Sequence, residues 1–315
     1  DSERAAESLR QLYAPLTSGN YYRRSDAVPA AAHGAALPPP PLLVTNSKSA
    51  ELIKHASNAF LAMKISFINA VANLCEAVGA DVSEVKQGMG LDSRIGTRFL
   101  EPGLGYGGSC FPKDLMAFRA VAQERGYDFS LLTEVMKINE EQRRLFVKKV
   151  RTALWNLRGK ALGVLGLAFK GGTDDVRESP AIEIVRALVK EGCVISVYDP
   201  AAMERGREVL GDAVRYAATP AEAAAGADAL LILTDWPEFA HLKLASLAEV
   251  MKHPLLIDGR NLYRPAEAAA AGFTYMSMGR PLAEPQPNFA SAAAGAASGP
   301  PSLGTASLQP TGTGE

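Results

Sequence analysis

A long helical pattern dominates the first third of the chain. From about residue 47 to Val78, apolar residues recur at intervals of three and four, and Asn46 or Ser47 can cap the amino end of this helix. Shorter helical patterns follow near residues 82–89, 113–125 and 130–154. We therefore predict an all-helical central domain over residues 46–156, in which the long helix connects two domains and forms a dimerisation face.

The period of the pattern changes after residue 157. Short apolar runs, which are typical of buried strands, then alternate with helical segments up to about residue 280. The predicted strands lie at 161–168, 193–198, 229–233, 255–258 and 273–276. Strands that alternate with helices predict an α/β fold, with a Rossmann-like, doubly wound parallel sheet over residues 157–280.

The remaining segments have a different composition. Residues 1–16 are typical of the last helix of a preceding domain, and residues 17–45 are a Pro/Ala-rich linker. Residues 281–315 are so rich in Ala, Ser, Gly, Pro and Thr that we expect a disordered tail. The chain begins with Asp1 rather than Met, and we interpret it as part of a longer protein.

Composition argues against several classes of partner. The 315 residues carry a formal net charge of −1, which provides no field that would attract nucleic acid or an acidic membrane surface. The three cysteines are too few and too scattered for a disulfide framework or a metal site. We find no signal peptide and expect no apolar run as long as a membrane span. We therefore predict a cytoplasmic protein, and we interpret its four histidines as surface or packing residues.

Residues 107–114, with the sequence GGSCFPKD, carry the strongest chemical signal. Glycines let a ligand approach the backbone closely, and Pro112 suits the first turn of a helix. A thiol at a helix amino terminus beside Lys113 has its thiolate stabilised, which makes Cys110 a candidate nucleophile. Asp114 lies one helical turn later, so its carboxylate shares a face with the thiol.

Cations follow two of the predicted strands. Lys170 and Arg177 come after the first strand, and Arg260 follows the strand at 255–258. Because ligands bind beyond the carboxyl ends of parallel strands, these side chains are candidate phosphate contacts. Asp199, at the end of the second strand, can either hold a ribose or form a turn with Pro200. The domain has no G-x-G-x-x-G fingerprint for a dinucleotide.

Several motifs resemble the UDP-glucose/GDP-mannose dehydrogenase family in that family's order and spacing. They are spread over about residues 45–265 and comprise Glu51–Asn58, Arg94–Gly96, Phe99–Asp114, Ala168–Lys170, Thr173–Pro180 and Asp258–Arg260. The resemblance implies an NAD-dependent enzyme that oxidises the C6 alcohol of UDP-glucose to a carboxylate, through a cysteine thiohemiacetal and thioester. It also implies that UDP-glucose and further copies of the chain, in a dimer or larger oligomer, are the partners.

The resemblance assigns roles to individual residues. Cys110 is the implied nucleophile and Asp114 the acid–base partner, while Lys54 and Asn58 hold a reactive water and stabilise oxyanions. The implied substrate contacts are Lys54, Arg94, Phe99, Leu100, Glu101, Pro102, Gly103, Gly107, Phe169, Lys170 and Arg260, of which Arg94 reaches the sugar nucleotide of a neighbouring subunit. Lys113 and Arg177 are the implied contacts to NAD.

One part of the family pattern is not found in the sequence. The N-terminal Rossmann domain with the main NAD site is absent, and residues 1–16 resemble only its end, so we expect this chain alone to be inactive. A GDP-mannose or UDP-aminosugar dehydrogenase is the alternative within the family, although Ser109 and Phe111 beside the thiol favour the glucose enzyme. The alternative of another class is a non-catalytic module that binds nucleotide sugars or dimerises.

Overall fold

The computed structural model describes residues 2–24 and 38–285. Helix α1 (Glu3–Thr17) is capped by the Ser2 hydroxyl, and none of its residues is buried. It matches the predicted helical segment of residues 1–16 and ends one residue later, at Thr17. Residues 25–37 of the predicted linker and residues 286–315 of the predicted tail lie outside the described residues.

Four helices follow, as the apolar pattern predicts: α2 (Ser47–Val78), α3 (Val82–Gly90), α4 (Phe111–Glu124) and α5 (Ser130–Leu154). The side chain of Asn46 caps α2, since its Oδ1 accepts from the backbone N–H of Ser49 at 2.9 Å. The buried face of α2 packs against α4 and α5, with Ala59, Ala62 and Leu115 in the shared core. The predicted all-helical character of this region is therefore confirmed.

A six-stranded sheet forms the second half of the structure. Its strands are β1 (Ala161–Leu165), β2 (Val194–Tyr198), β3 (Arg215–Tyr216), β4 (Ala229–Ile232), β5 (Leu255–Asp258) and β6 (Thr274–Ser277). The helices between them are α6 (Pro180–Lys190), α7 (Met203–Leu210), α8 (Pro220–Ala224), α9 (Leu244–Val250) and α10 (Pro265–Ala270). All neighbouring strands are parallel, in the order β3-β2-β1-β4-β5-β6.

The sheet confirms the predicted doubly wound α/β fold and corrects two details. Strand β1 ends at Leu165, three residues earlier than predicted, because Gly166 turns the chain with φ of +102°. Strand β3 is absent from the prediction, since a strand of two residues leaves no alternation to detect. The strand order reverses between β1 and β4, and the carboxyl edge at such a switch point is where open α/β sheets bind ligands.

Helix α2 contradicts one expectation about apolar length. By length and composition alone this helix could cross a membrane, whereas we expected no such run. A single helix of this kind is weak evidence, because the core helix of a soluble protein passes the same test. Three of its polar side chains, Lys54, Asn58 and Asn69, make hydrogen bonds to other parts of this protein.

An interdomain contact fixes the helices to the far edge of the sheet. The ammonium of Lys149 donates to the Glu76 carboxylate at 2.7 Å and to the carbonyl of Ser277 at 2.9 Å. The same Glu76 oxygen accepts from the backbone N–H of Gly279 at 2.7 Å. The N–H of Val82, at the start of α3, donates to the carbonyl of Gly279 at 2.8 Å. Both domains therefore share one hydrogen-bonded network.

Candidate active site

A cleft lies between α2, the loop that precedes α4 and the carboxyl edge of the sheet. Its inner part is a cavity of about 410 Å³ that contains Cys110, Phe169, Lys170 and Arg260. An adjoining cavity of about 440 Å³ adds Arg98 and Glu101, and the two share the lining residues Ile65, Phe99, Gly105 and Arg260. The cleft thus brings the predicted nucleophile and two predicted phosphate contacts to one place.

Cys110 is the one exposed thiol among the three cysteines, all of which the structure describes. It occupies the N-cap position of α4, and its carbonyl accepts from the N–H of Asp114 at 2.8 Å. The partial positive charge at a helix amino terminus favours an anion at this position. By contrast, burial raises the pKa of the Cys75 thiol, and it raises the pKa of Cys193 to about 11. Of the three cysteines, Cys110 alone is both exposed to solvent and placed at a helix amino terminus.

Asp114 is the centre of a polar cluster that joins α4 to α2. Its Oδ2 accepts from the ammonium of Lys54 at 2.7 Å and from the amide of Asn58 at 2.6 Å, while the Asp114 side chain is only 1% exposed. Burial opposes ionisation of this carboxyl, but the two hydrogen bonds outweigh it and hold its pKa below the usual value. The structure therefore brings together three of the four residues that we predict to be catalytic, next to the helix start that carries the fourth.

Three buried amides, none of them predicted from the sequence, shape the loop of residues 99–108. Asn139 accepts from the N–H of Tyr106 at 2.8 Å and donates to its carbonyl at 3.1 Å. Asn69 accepts from the N–H of Gly103 at 2.8 Å, and Gln142 donates to the Gly103 carbonyl at 2.9 Å. Polar residues on the buried faces of α2 and α5 are the signal that could have identified them, because a buried amide needs partners.

The same loop depends on close backbone approach. Phe99 has φ of +63°, a conformation that is costly for a bulky side chain, and its ring lines both cavities. A Cβ on Gly107 would contact the carbonyl oxygen of Glu178 and would lie 2.8 Å from Cδ of Pro180. Gly107 therefore allows the loop to pass directly over the start of α6.

We expect the substitution Gly107→Ala to destabilise the protein by about 1–3 kcal/mol, because the backbone of residues 178–180 has to move to admit a methyl group. Urea denaturation followed by circular dichroism measures this change. The matched control is Gly88→Ala in α3, where a Cβ would meet nothing within 4 Å and helix propensity favours alanine. Equal stability of Gly107→Ala and the wild type would show that this loop can relax freely.

Arg260 and Lys170 give the inner cavity its positive charge. Arg260 donates through Nε to the carbonyl of Leu233 at 2.9 Å and through Nη2 to the carbonyl of Phe169 at 3.0 Å. Within residues 2–24 and 38–285 no carboxylate forms an ion pair with Arg260. The exposed Lys170 places its ammonium 5.5 Å from the centre of the Phe169 ring. The two carbonyl contacts fix the direction of the Arg260 guanidinium. Because no carboxylate in the described part of the chain pairs with it, its positive charge is available to an anionic ligand.

Two buried aspartates support this edge of the sheet. Asp199 accepts hydrogen bonds from the backbone N–H groups of Leu167, Ala168, Ala201 and Ala202, and from the Trp236 indole. Its oxygens are thereby occupied, which favours the turn-forming interpretation over a ribose contact. Asp258 accepts from the N–H of Arg260 at 2.8 Å and from the Tyr275 hydroxyl at 2.8 Å, so it fixes the backbone beside the Arg260 side chain.

Some of the predicted substrate and cofactor contacts lie elsewhere. Arg94 is 87% exposed, pairs with Asp92 at 2.6 Å and lines neither cavity. Pro102 is buried, and the side chain of Leu100 packs in a core cluster with Ile68 and Val82. If these two residues contact a substrate, they can do so only through their backbone.

The two predicted NAD contacts, Lys113 and Arg177, also lie outside both cavities. Arg177 forms a two-point ion pair with Asp175, with contacts of 2.8–3.2 Å. Lys113 follows the thiol by three residues, in the first turn of α4.

Comparisons with known proteins fit this geometry. Residues 48–141 match the central domain of the UDP-glucose/GDP-mannose dehydrogenase family, and residues 163–265 match its UDP binding domain. The UDP-glucose 6-dehydrogenase TuaD of Bacillus subtilis is 49% identical over 240 residues, which are 76% of this chain and 52% of TuaD. This chain thus spans about half the length of the curated relatives it matches.

Solved structures show the same relationship. A UDP-glucose dehydrogenase from Pyrobaculum islandicum superposes with a TM-score of 0.74 at 37% identity, over 89% of this chain and 57% of the other. A UDP-D-ManNAc dehydrogenase from Pyrococcus horikoshii gives a TM-score of 0.64 at 32% identity, over 75% of this chain and 53% of the other. The chain therefore belongs to the UDP-glucose/GDP-mannose dehydrogenase family.

Proposed function

We propose that this chain forms the catalytic and UDP-sugar-binding part of an NAD-dependent dehydrogenase that converts UDP-glucose to UDP-glucuronate. The observation that carries the proposal is the position of the exposed Cys110 in one cavity with Lys170 and Arg260, beside the Lys54–Asn58–Asp114 cluster. Cations that bind a diphosphate and a thiol that reacts with an aldehyde are the two features that this oxidation needs. The proposed cytoplasmic location is the one in which the precursor UDP-glucose is available.

The diphosphate of the substrate fits against Arg260 and Lys170. Arg260 offers a rigid guanidinium fork, which suits phosphate oxygens, whereas Lys170 is a point charge on a flexible stem. The sugar then extends towards Cys110 along the loop of residues 99–108. Phe99, Glu101, Gly103 and Gly107 are the parts of that loop that we propose as sugar-side contacts, together with the backbone of Leu100 and Pro102.

Cys110 acts on the sugar at the aldehyde stage. The Sγ thiolate adds to the C6 carbonyl carbon, the new S–C bond forms, and the carbonyl oxygen becomes an oxyanion. Oxidation of this adduct gives a thioester, to which water adds while Asp114 accepts the water proton. The C–S bond then breaks, releasing the carboxylate and restoring the thiolate. Lys54 and Asn58 donate hydrogen bonds that stabilise the oxyanions, a kind of contribution worth a hundredfold or more in rate.

NAD, when bound, supplies the hydride acceptor for both oxidations, and this family is known to use it. Lys113 and Arg177 would hold its phosphates. The position of Arg177 supports that role: its backbone carbonyl accepts from the N–H of Gly108 at 3.1 Å, two residues before the thiol. Arg177 is 70% exposed, so a phosphate can reach its guanidinium without displacing a buried partner. We assign the remainder of the NAD site to a domain outside residues 46–280.

NADH formation tests this proposal. The chain is joined to the N-terminal part of Bacillus subtilis TuaD, and absorbance at 340 nm is followed with UDP-glucose, UDP-N-acetylmannosamine and GDP-mannose. We expect UDP-glucose to be the preferred substrate and the unjoined chain to be inactive. Preference for either other sugar would support the alternative dehydrogenases. Binding of UDP-glucose without turnover in the joined protein would support the non-catalytic interpretation.

We also propose that the outer face of α2 forms a dimer. Its apolar side chains Ile53, Phe60, Phe67 and Leu74 recur every seven residues and are 48–61% exposed. The positions between them hold Ala56, Met63, Ala70 and Ala77. Large and small residues that alternate at heptad spacing form the knobs and holes of a helix pair, and an apolar stripe of this length favours a second copy of the same helix.

The double substitution Phe60→Glu and Phe67→Glu is expected to convert the dimer to monomers, because four carboxylates would face one another across the twofold axis. Sedimentation velocity measures the mass of the particle. The matched control is Val194→Glu, which places a charge on another exposed apolar residue outside the stripe and leaves the mass unchanged. If the variant with Phe60→Glu and Phe67→Glu stays a dimer, the interface must lie on another surface of the protein.

A further inference from the structure

His55 lies in α2 between the two residues that bind Asp114, and it faces the other oxygen of that carboxylate. Its Nδ1 is 3.8 Å from Oδ1 of Asp114, while Lys54 and Asn58 both donate to Oδ2. Nδ1 is buried and has no hydrogen-bond partner in the part of the chain that the structure describes. The predicted packing role holds, since the ring stacks on Phe118, and the structure also places His55 beside the Asp114 carboxyl.

The surroundings of the imidazole hold it in this position. Phe118 of α4 stacks on the ring, with centroids 6.2 Å apart and planes inclined by 30°, and Phe129 packs edge-on against Phe118. Asp114 from α4 is the charged group beside Nδ1 of His55, and the ammonium of Lys54, from the same helix as His55, binds the other oxygen of that carboxylate. The side chain keeps 30% of its surface exposed, so one edge of the ring reaches water while Nδ1 points inward.

Asp114 needs such a neighbour if it accepts a proton in each turnover. Its side chain is 1% exposed, and Oδ2 is covered by two donors, so bulk water has poor access to a proton on this carboxyl. An imidazole can take a proton on one nitrogen and release one from the other. An imidazole is a stronger base than a carboxylate, so a proton on Asp114 can pass to His55.

We infer that His55 is a positioning and proton-relay residue that connects Asp114 to solvent. The protonated carboxyl gives its proton to Nδ1, which leaves a carboxylate and an imidazolium, and Nε2 then releases a proton to water. A small rotation of the ring brings Nδ1 within hydrogen-bond distance of Oδ1. The inference rests on the proposed function for its role in turnover, but the coupling of the two groups can be measured on this chain without a substrate.

The test of coupling is a pH titration of the chain with 15N-labelled histidine, followed by NMR and assigned with His55→Gln. We expect Asp114→Asn to lower the midpoint of His55 by about half a pH unit, because the imidazolium loses its carboxylate partner. Lys54→Gln is expected to raise that midpoint, because a nearby cation is removed. The two shifts of opposite sign distinguish coupling from a structural effect.

The chain provides an internal control for this titration. The Nε2 of His253 lies 3.8 Å from Asp228, far along the sequence from α2, and Asp228→Asn should shift His253 alone. An unchanged His253 midpoint also reports that each variant is folded. If Asp114→Asn unfolds, the Lys54→Gln titration decides alone. A His55 midpoint that stays the same in the folded variants overturns the inference.

The role in turnover is tested in the chain joined to the TuaD N-terminal part. His55→Phe keeps the ring stacked on Phe118 and removes both nitrogens, and we expect it to lower kcat about tenfold with KM for UDP-glucose unchanged. Added imidazole should restore part of the rate. Normal kcat in His55→Phe overturns the relay, whereas an inactive wild-type protein would count against the proposed function and leave the titration result standing.

Discussion

Replacing Cys110 by alanine is expected to abolish formation of the sugar acid, with a loss of at least about a thousandfold in kcat, because no other described group can form the thioester. The measurement is NADH formation from UDP-glucose by the chain joined to the TuaD N-terminal part, with the product separated by ion exchange. Affinity for UDP should be unchanged, since we propose Arg260 and Lys170, not Cys110, as the diphosphate contacts. The matched control is Cys75→Ala, which removes a buried thiol.

The chain by itself allows a second measurement of the thiol. Iodoacetamide should label Cys110 and leave Cys75 and Cys193 unlabelled, since both are buried. The C6 aldehyde of UDP-glucose should protect Cys110 from labelling through the reversible S–C bond, and UDP should protect it less. Normal acid formation by Cys110→Ala, or labelling of Cys110 that the aldehyde does not slow, would contradict its role as nucleophile.

Replacing Arg260 by methionine is expected to weaken UDP binding by at least about 30-fold, because the loss of one partner from a buried, hydrogen-bonded charge pair costs about 2–5 kcal/mol. Isothermal titration calorimetry on the chain measures this change. Arg260→Lys keeps the charge but loses the guanidinium fork, so its affinity should lie between those of Arg260→Met and the wild type.

The control for this experiment is Arg264→Ala, four residues later. Arg264 is 85% exposed and pairs weakly with Glu267 at 3.9 Å, so its loss should leave UDP affinity unchanged. Lys170→Ala should have a smaller effect than Arg260→Met, since an exposed ammonium contributes less than a guanidinium held by two carbonyls. Equal affinity in Arg260→Met and wild type would place the diphosphate elsewhere in the cleft.

The fold could be predicted from the sequence because each element has a strong local signal. The caps and apolar period of α2 define its two ends, and the five longer strands are short apolar runs between helices. Two features escaped prediction because they have no such signal. The two residues of β3 are too few to show a pattern, and the early end of β1 depends on a glycine conformation that only the three-dimensional structure reveals.

The site was predictable where its residues are close in sequence and less so where they meet across domains. Lys54 and Asn58 share a helix face, and the structure brings them to Asp114 as the family resemblance implies. Asn139 and Gln142 were missed because a polar residue on a helix looks the same whether it faces water or a loop from another part of the chain. The position of His55 beside Asp114 was not predictable for the same reason, because this carboxylate lies 59 positions away in the sequence.

The interdomain contact around Glu76 and Lys149 has a consequence for how a substrate reaches the thiol. One wall of the cleft comes from the helices and the other from the strand ends, and charged side chains with backbone partners link the two. The walls cannot swing apart without breaking that linkage, so we expect the cleft to keep a constant width. A ligand that reaches the thiol therefore has to enter through the open side of the cleft.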